Sequence, residues 1–377
     1  MFSKILCLSF LIFCNFYLRS QTSTNSLAVE NYNKGVEYSN AKNYELALSF
    51  YSRCIEADPD YIKAYYNRGN CKINLKDLQG ALADFQQTIT LDPEFAKAYL
   101  FKGYTQLLLE DHQNAISTLT QAITKDVTLT KAFVNRGTAY MKVGNYEMAI
   151  NDFTKAITMG EQSYSVYLNR GICKSKKEDY QNALADLNAA SDLKPDQSIS
   201  SAEKAKIYLK LEKWNEAISE LTNGIRRNPA DAELYQQRGF AKLMMEDLNA
   251  ALLDFAICLQ LKPDHQAALQ NKALTSFKLG KHEDAVMDYS HLLKLDSDNE
   301  LYYIQRGISY LEVKQYEKAL DDFSEAIHQK SDFAEAYFNR ANAYTKLLDH
   351  KKACKDIKES AKLGYRPAFA HVDNLCK

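Results

Sequence analysis

Residues 62–95, IKAYYNRGNCKINLKDLQGALADFQQTITLDPEF, decide the fold. Apolar side chains recur through them at helical spacing in two stretches, with a polar turn at Lys76 and Asp77 between them. Pro93 ends the second stretch, because proline cannot donate the next backbone hydrogen bond and holds the residue before it away from the helical region. The segment predicts a helical hairpin. It also predicts how the two helices touch. Gly69, eighth in the segment, and Ala81, twentieth, are small where the backbones cross, and Tyr65 and Phe85, fourth and twenty-fourth, fill the space beside them.

In both directions the same pattern returns every 34 residues. The eighth position holds Gly35, Gly69, Gly103, Gly137, Gly171, Gly239 and Gly307, with Ala205, Ala273 and Ala341 at the other three places. The twentieth is alanine throughout: Ala47, Ala81, Ala115, Ala149, Ala183, Ala217, Ala251, Ala285, Ala319 and Ala353. Pro59, Pro93, Pro195, Pro229 and Pro263 share the thirty-second place, and Pro367 closes the last repeat. No insertion or deletion interrupts the count, so 28–367 reads as ten consecutive helix pairs.

Composition agrees with that reading. Of 377 residues, 46% are hydrophobic and 25% charged, the balance of a soluble folded chain, and only 13 Gly and 6 Pro serve all its turns. Lys and Arg total 47 against 48 Asp and Glu, so no one-signed field draws the chain to nucleic acid or to an anionic bilayer.

These positions resemble the tetratricopeptide repeat family, whose pattern has a large residue at four, Gly or Ala at eight, Ala at twenty, an aromatic at twenty-four and Pro at thirty-two. The sixth repeat departs most, with Ser201, Ala205 and Gly224 at places where the family has an aromatic, a Gly and another small residue. The resemblance implies an all-α fold: a right-handed α-solenoid, or superhelix, of stacked antiparallel helix pairs, with the first helix of each pair lining the inner surface. Function is then expected at inward positions.

Position six carries Asn33, Asn67, Asn135, Asn169, Gln237, Asn271, Gln305 and Asn339, broken by Phe101 and Glu203. A carboxamide both donates and accepts, so a ladder of them suits an extended peptide backbone. Similar asparagine ladders line the peptide-binding superhelices of O-GlcNAc transferase and of importin-type solenoids; the alternative is that each Asn bonds its own neighbours. Beside the ladder, Lys63, Lys97 and Lys131 repeat at position two near Tyr66, Asn70 and Tyr104. They form either a seat for an acidic segment or terminal carboxylate, or a solvated face. The carboxylate clamp of chaperone-binding relatives is not expected, since Val36 and Phe101 occupy places it requires.

The N-terminus reads as an address. Lys4, the apolar run Ile5–Leu18 and a polar exit at Arg19 match a secretory signal, expected to span 1–20 with cleavage near Ser20. An uncleaved membrane anchor is the alternative. A short linker, 21–27, precedes the repeats, and 368–377 is expected to cap them. The protein is then exported, to a periplasm, cell envelope or extracellular space, and meets the membrane only through its signal. Cys54, Cys71, Cys173 and Cys258 sit at phases where cysteine acts as a buried hydrophobe. Cys354 and Cys376 flank Gly364 and would face each other if the tail folds back, in an oxidising compartment that permits a disulfide.

Catalysis is not expected. The seven histidines fall at scattered phases with no metal-binding spacing, the glycines are crossing or turn residues rather than a phosphate loop, and the repeats leave no room for an enzyme domain. No cofactor, metal or small-molecule substrate is implied, and the partner class is protein or peptide. Two functions follow: a groove that holds an extended segment, or a structural subunit of an envelope assembly that docks folded partners through its convex face or its ends.

Overall fold

The computed structural model describes residues 26–376, and every regular element among them is an α-helix. The 1–20 address and residues 21–25 lie outside. No described helix is long and apolar enough to cross a membrane. Ser26 and Leu27, expected in the linker, are already helical, since nothing between Ser26 and Ala28 breaks a helix.

The chain divides into two compact units, between Lys194 and Pro195. The first contains α1 (26–40), α2 (Tyr44–Ala57), α3 (Ile62–Asn74), α4 (Leu78–Leu91), α5 (Ala96–Leu108), α6 (His112–Lys125), α7 (Thr130–Lys142), α8 (Tyr146–Thr158), α9 (Tyr164–Lys176) and α10 (Tyr180–Leu193). The second contains α11 (Ser198–Lys210), α12 (Trp214–Arg227), α13 (Ala232–Met244), α14 (Leu248–Leu261), α15 (Gln266–Lys278), α16 (His282–Leu295), α17 (Glu300–Glu312), α18 (Tyr316–Gln329), α19 (Ala334–Lys346), α20 (His350–Lys362) and α21 (Arg366–Leu375).

Each repeat is built by the same local rules. Its first helix ends in a left-handed residue at position fifteen, such as Lys76 (φ 64°), whose N–H bonds Ile73 O while Asp77 N reaches Lys72 O. In six repeats the next side chain caps the second helix, as Asp77 accepts from Gly80 N and Asn145 from Met148 N; Asp179, Lys213, Lys281 and Gln315 make no such bond. Because that turn is so short, the two helices lie antiparallel. At the crossing the space beside Gly69 is taken by the Phe85 ring, which a Cβ there would meet at 2.8 Å.

Helix pairs stack within each unit as an α-solenoid. First helices of successive repeats touch one another (α3 with α5, α5 with α7, α7 with α9; in the second unit α13 with α15, α17 with α19), while no two second helices make comparable contact. The first helices therefore crowd the inner side and the second helices spread along the outer one.

A polar spine runs between the pairs. The Arg68 guanidinium donates to both oxygens of buried Asp84 on its own repeat's second helix, at 2.9 and 2.7 Å, and to Ser52 Oγ on the second helix before it, at 3.1 Å. The same fork joins Arg136 to Asp152 and Thr120, Arg170 to Asp186 and Thr154, Arg238 to Asp254 and Thr222, Arg306 to Asp322 and Ser290, and Arg340 to Asp356 and Ser324. Each arginine also lies over the fourth-position aromatic, as Arg68 does over Tyr65 at 5.5 Å. Those aromatics thus support the spine rather than filling the crossing.

Pro367 corrects the sequence reading. The tenth repeat's second helix ends at Lys362, with Gly364 at φ 89°, and Pro367 stands in the first turn of α21. A missing N–H costs nothing there, so this proline opens the cap. Ala368 of α21 packs on Ala341 and Ile357, and Cys376 is joined to Cys354 with their Cα atoms 5.0 Å apart.

Candidate functional site

In the first unit the inner faces of α5 and α7 meet at a cavity of about 330 Å³. Leu100, Phe101 and Tyr104 come from α5, Lys131, Val134 and Asn135 from α7, and Glu161 from the turn after α8. These are positions five, six and nine of the third repeat, two, five and six of the fourth, and the fourth repeat's proline position, where Glu161 stands instead. Leu100 and Val134 give an apolar lining. Tyr104, 37% exposed, and the exposed Lys131 bring a phenol and an ammonium to the opening, and the half-buried Asn135 supplies the amide.

Phe101 is held from behind. Its ring stands edge-on to Tyr66 with centroids 5.6 Å apart and lies 6.1 Å from Phe85, while Tyr66 packs on Phe95 at 5.1 Å. Tyr66 is therefore a supporting residue: burial raises its phenol pKa, opposed by a hydrogen bond with Asn70.

The carboxamide series divides. Asn67 Nδ2 donates to Tyr32 Oη of the preceding repeat at 3.1 Å, and Gln237 Nε2 to Glu233 one turn back at 2.8 Å. Both donors are committed internally, while Gln237 Oε1 is buried without a partner. Asn135 lines the cavity; Asn169, Asn271, Gln305 and Asn339 are half-buried and Asn33 is exposed. Lys63 and Lys97 are exposed like Lys131, and none of the three forms a salt bridge among the described residues. Lys97 adds to the pull that holds the Asp126 carboxyl below its usual range, after the hydrogen bonds from Thr128.

Sequence reasoning missed four of the seven lining residues: Leu100, Phe101, Val134 and Glu161. Two signals were available, the phenylalanine that interrupts the carboxamides and the acid standing in a proline's place. The second unit has a wider hollow of about 600 Å³, where Leu311, Glu312, Asn342 and Lys346 meet His371 of the cap.

Chemically, these surfaces can hold and orient a guest. Among the described residues no group of His, Cys, Asp and Glu is placed to bind a metal. The four free thiols among the described residues are buried, and burial pushes Cys54 and Cys258 up to about 11 and Cys173 to about 12, far from a nucleophilic thiolate.

The tetratricopeptide repeat family model matches residues 62–95 and 130–161, a second tetratricopeptide model matches 31–61, 96–124, 164–197, 267–299 and 334–363, and a TPR repeat model matches 309–347. No curated protein matches the chain. Among solved structures it is similar to the C-terminal part of a TPR repeat-containing protein from Cytophaga hutchinsonii (16% identity, 64% of this chain and 98% of that one, TM-score 0.54). It is also similar to YrrB, a TPR protein with an unusual peptide-binding site (21% identity, 50% and 97%, TM-score 0.46), and to yeast Tom70 (14% identity, 92% and 95%, TM-score 0.40). With the family pattern matched over most of its length and helix pairs stacked throughout both units, the chain belongs to the tetratricopeptide repeat family.

Proposed function

We propose that this protein is an exported, non-catalytic scaffold that holds an extended segment of a partner protein along its inner face. The observation that carries the reading is the cavity between α5 and α7, where an amide, an ammonium and a phenol open onto an apolar lining. An extended segment presents an amide backbone and alternating side chains, so Asn135 pairs with a peptide group while one apolar side chain enters between Leu100 and Val134. Export rests on the address at 1–20. The test is crosslinking in cells from a photoreactive residue at position 135, compared with one at exposed Asn151 on the outer helix α8 of the same repeat. Adducts are expected from the inner position. Adducts from the outer one alone defeat the proposal.

A second reading, a structural subunit that docks folded partners on its outer side, is favoured by Leu253 and Met287. They occupy the same position of two successive second helices, α14 and α16, and are 61% and 63% exposed. Replacing both by Glu would abolish assembly under this reading and leave the inner crosslink untouched.

A further inference from the structure

Position seven is basic in every repeat, and its order is informative: Lys34, Arg68, Lys102, Arg136, Arg170, then Lys204, Arg238, Lys272, Arg306, Arg340. The same five-repeat order recurs elsewhere. Position seventeen reads Leu78, His112, Tyr146 in the second to fourth repeats and Leu248, His282, Tyr316 in the seventh to ninth. Phenylalanine at position twenty-four occurs only at Phe85, Phe153, Phe255 and Phe323, the second and fourth of each five. Two structural observations agree. The compact units divide between Lys194 and Pro195, next to the point where the second series starts at Ser198. The third repeat of each five also carries a histidine at the same place whose Nδ1 is buried without a partner, His112 in one and His282 in the other.

The correspondence fails on the inner face. All seven residues lining the first unit's cavity differ from those 170 places later: Phe101 becomes Asn271, Tyr104 becomes Leu274, Lys131 becomes Leu301 and Asn135 becomes Gln305. The exposed lysines Lys63 and Lys97 give way to Glu233 and Ala267. A copy that keeps the order of its position-seven cations and of its phenylalanines at position twenty-four, while changing every cavity residue and replacing three rim lysines by Glu233, Ala267 and Leu301, has a different ligand preference.

We infer that the chain is a tandem copy of a five-repeat cassette whose second groove has been re-specified, so that only the first takes an acidic extended segment with an apolar anchor. This rests on the holding function proposed above. Lys63, Lys97 and Lys131 recur one repeat apart along successive first helices, none of them neutralised by a salt bridge, and so are complementary to carboxylates spaced along a strand. Two carboxylates lie near them, Glu161 at the cavity and Asp126, on which Lys97 acts through space.

The test uses the purified full chain and a labelled extended peptide of alternating Glu and Leu, with the Lys and Leu peptide as its counterpart. The acidic peptide is expected to bind at one site per chain, more weakly as salt rises. Lys63→Glu, Lys97→Glu and Lys131→Glu together should weaken it at least about a hundredfold, since they replace attraction by repulsion at three rim positions. Glu233→Lys with Leu301→Lys should leave that site intact and add a second. Two equal sites in the unaltered chain, binding that survives the triple reversal, or preference for the basic peptide would each overturn the inference. If neither peptide binds while position 135 still crosslinks its partner, the acidic preference falls and the holding function stands; loss of both removes the holding function itself.

Discussion

The fourth and ninth repeats occupy the same place in the two halves of the chain and differ by what each side chain faces. Arg136 reaches Asp152 at 2.8 Å through both bonds and Thr120 at 3.0 Å; Arg306 reaches Asp322 at 2.8 and 2.7 Å and Ser290 at 3.1 Å. One residue before each arginine the match ends, Asn135 against Gln305, and five residues before it Lys131 stands against Leu301, 52% exposed. Burial makes the difference. A carboxylate that is 4% exposed needs its counter-charge at a fixed distance, whereas a side chain facing water is free to change.

The largest effect that this comparison implies comes from breaking the spine. Arg306→Met leaves Asp322 buried without its partner and should cost about 3–5 kcal/mol, with Arg136→Met costing the same within about 1 kcal/mol. Removing both members, as Arg306→Met with Asp322→Leu, should restore most of the loss, because the desolvated charge goes with its partner. Urea denaturation of the three variants checks this. A large loss in one half and none in the other would mean that the two frames are not equivalent.

The halves also end differently, since the second alone carries a covalently held cap among the described residues. Cys354 and Cys376 close a loop with a sequence separation of 22, so reduction should destabilise the last repeat by about 3 kcal/mol if the chain-entropy account holds. Hydrogen exchange should then quicken in α19–α21 and stay unchanged in α1–α10.

A finer contrast lies at the crossings. A Cβ added at Gly307 would meet the Phe323 ring at 2.6 Å, while at Gly137 its nearest neighbour, Phe153, is at 3.1 Å. Gly307→Ala should therefore cost about 1–2 kcal/mol from overpacking, and Gly137→Ala less, its strain partly offset by alanine's better helix propensity. Equal melting temperatures for the two variants would erase the distinction.

How much of this was legible in the sequence follows from which interactions are periodic. Gly69, Ala81 and Pro93 act on their own helix pair, so their spacing revealed the hairpin directly. The spine was in view as the Arg that follows Asn67, Asn135, Asn169 and Asn339, but its partner lies 16 residues on and its hydroxyl 16 residues back, a triangle that only the stacking closes. Carboxamide spacing, for the same reason, overstated the site: Asn67 is spent on Tyr32, which the preceding repeat brings within reach. Phe101 looked like a defect in the ladder and is instead the aromatic side of the cavity, because two first helices must lie side by side before Leu100 and Val134 make a hollow beside it.

The smallest expected effect sharpens the comparison at the turn. Position fifteen has positive φ in every repeat; in the fourth it is Gly144, at 80° with nothing near its missing Cβ, and in the ninth it is Lys314, at 61°. A side chain in the left-handed region costs about 1 kcal/mol against glycine, yet glycine gives up about 0.5–1 kcal/mol of extra freedom on folding. The two nearly cancel. Lys314→Gly should thus stabilise by no more than about 0.5 kcal/mol, and Gly144→Ala, the reverse change at the equivalent turn, should cost no more than about 0.5 kcal/mol. Thermal melts of the two variants read both signs. A loss on Lys314→Gly as large as that on Gly144→Ala would show that the lysine contributes through something other than its backbone, and the ninth repeat's turn would then have to be counted with the groove as a place where the two halves have parted.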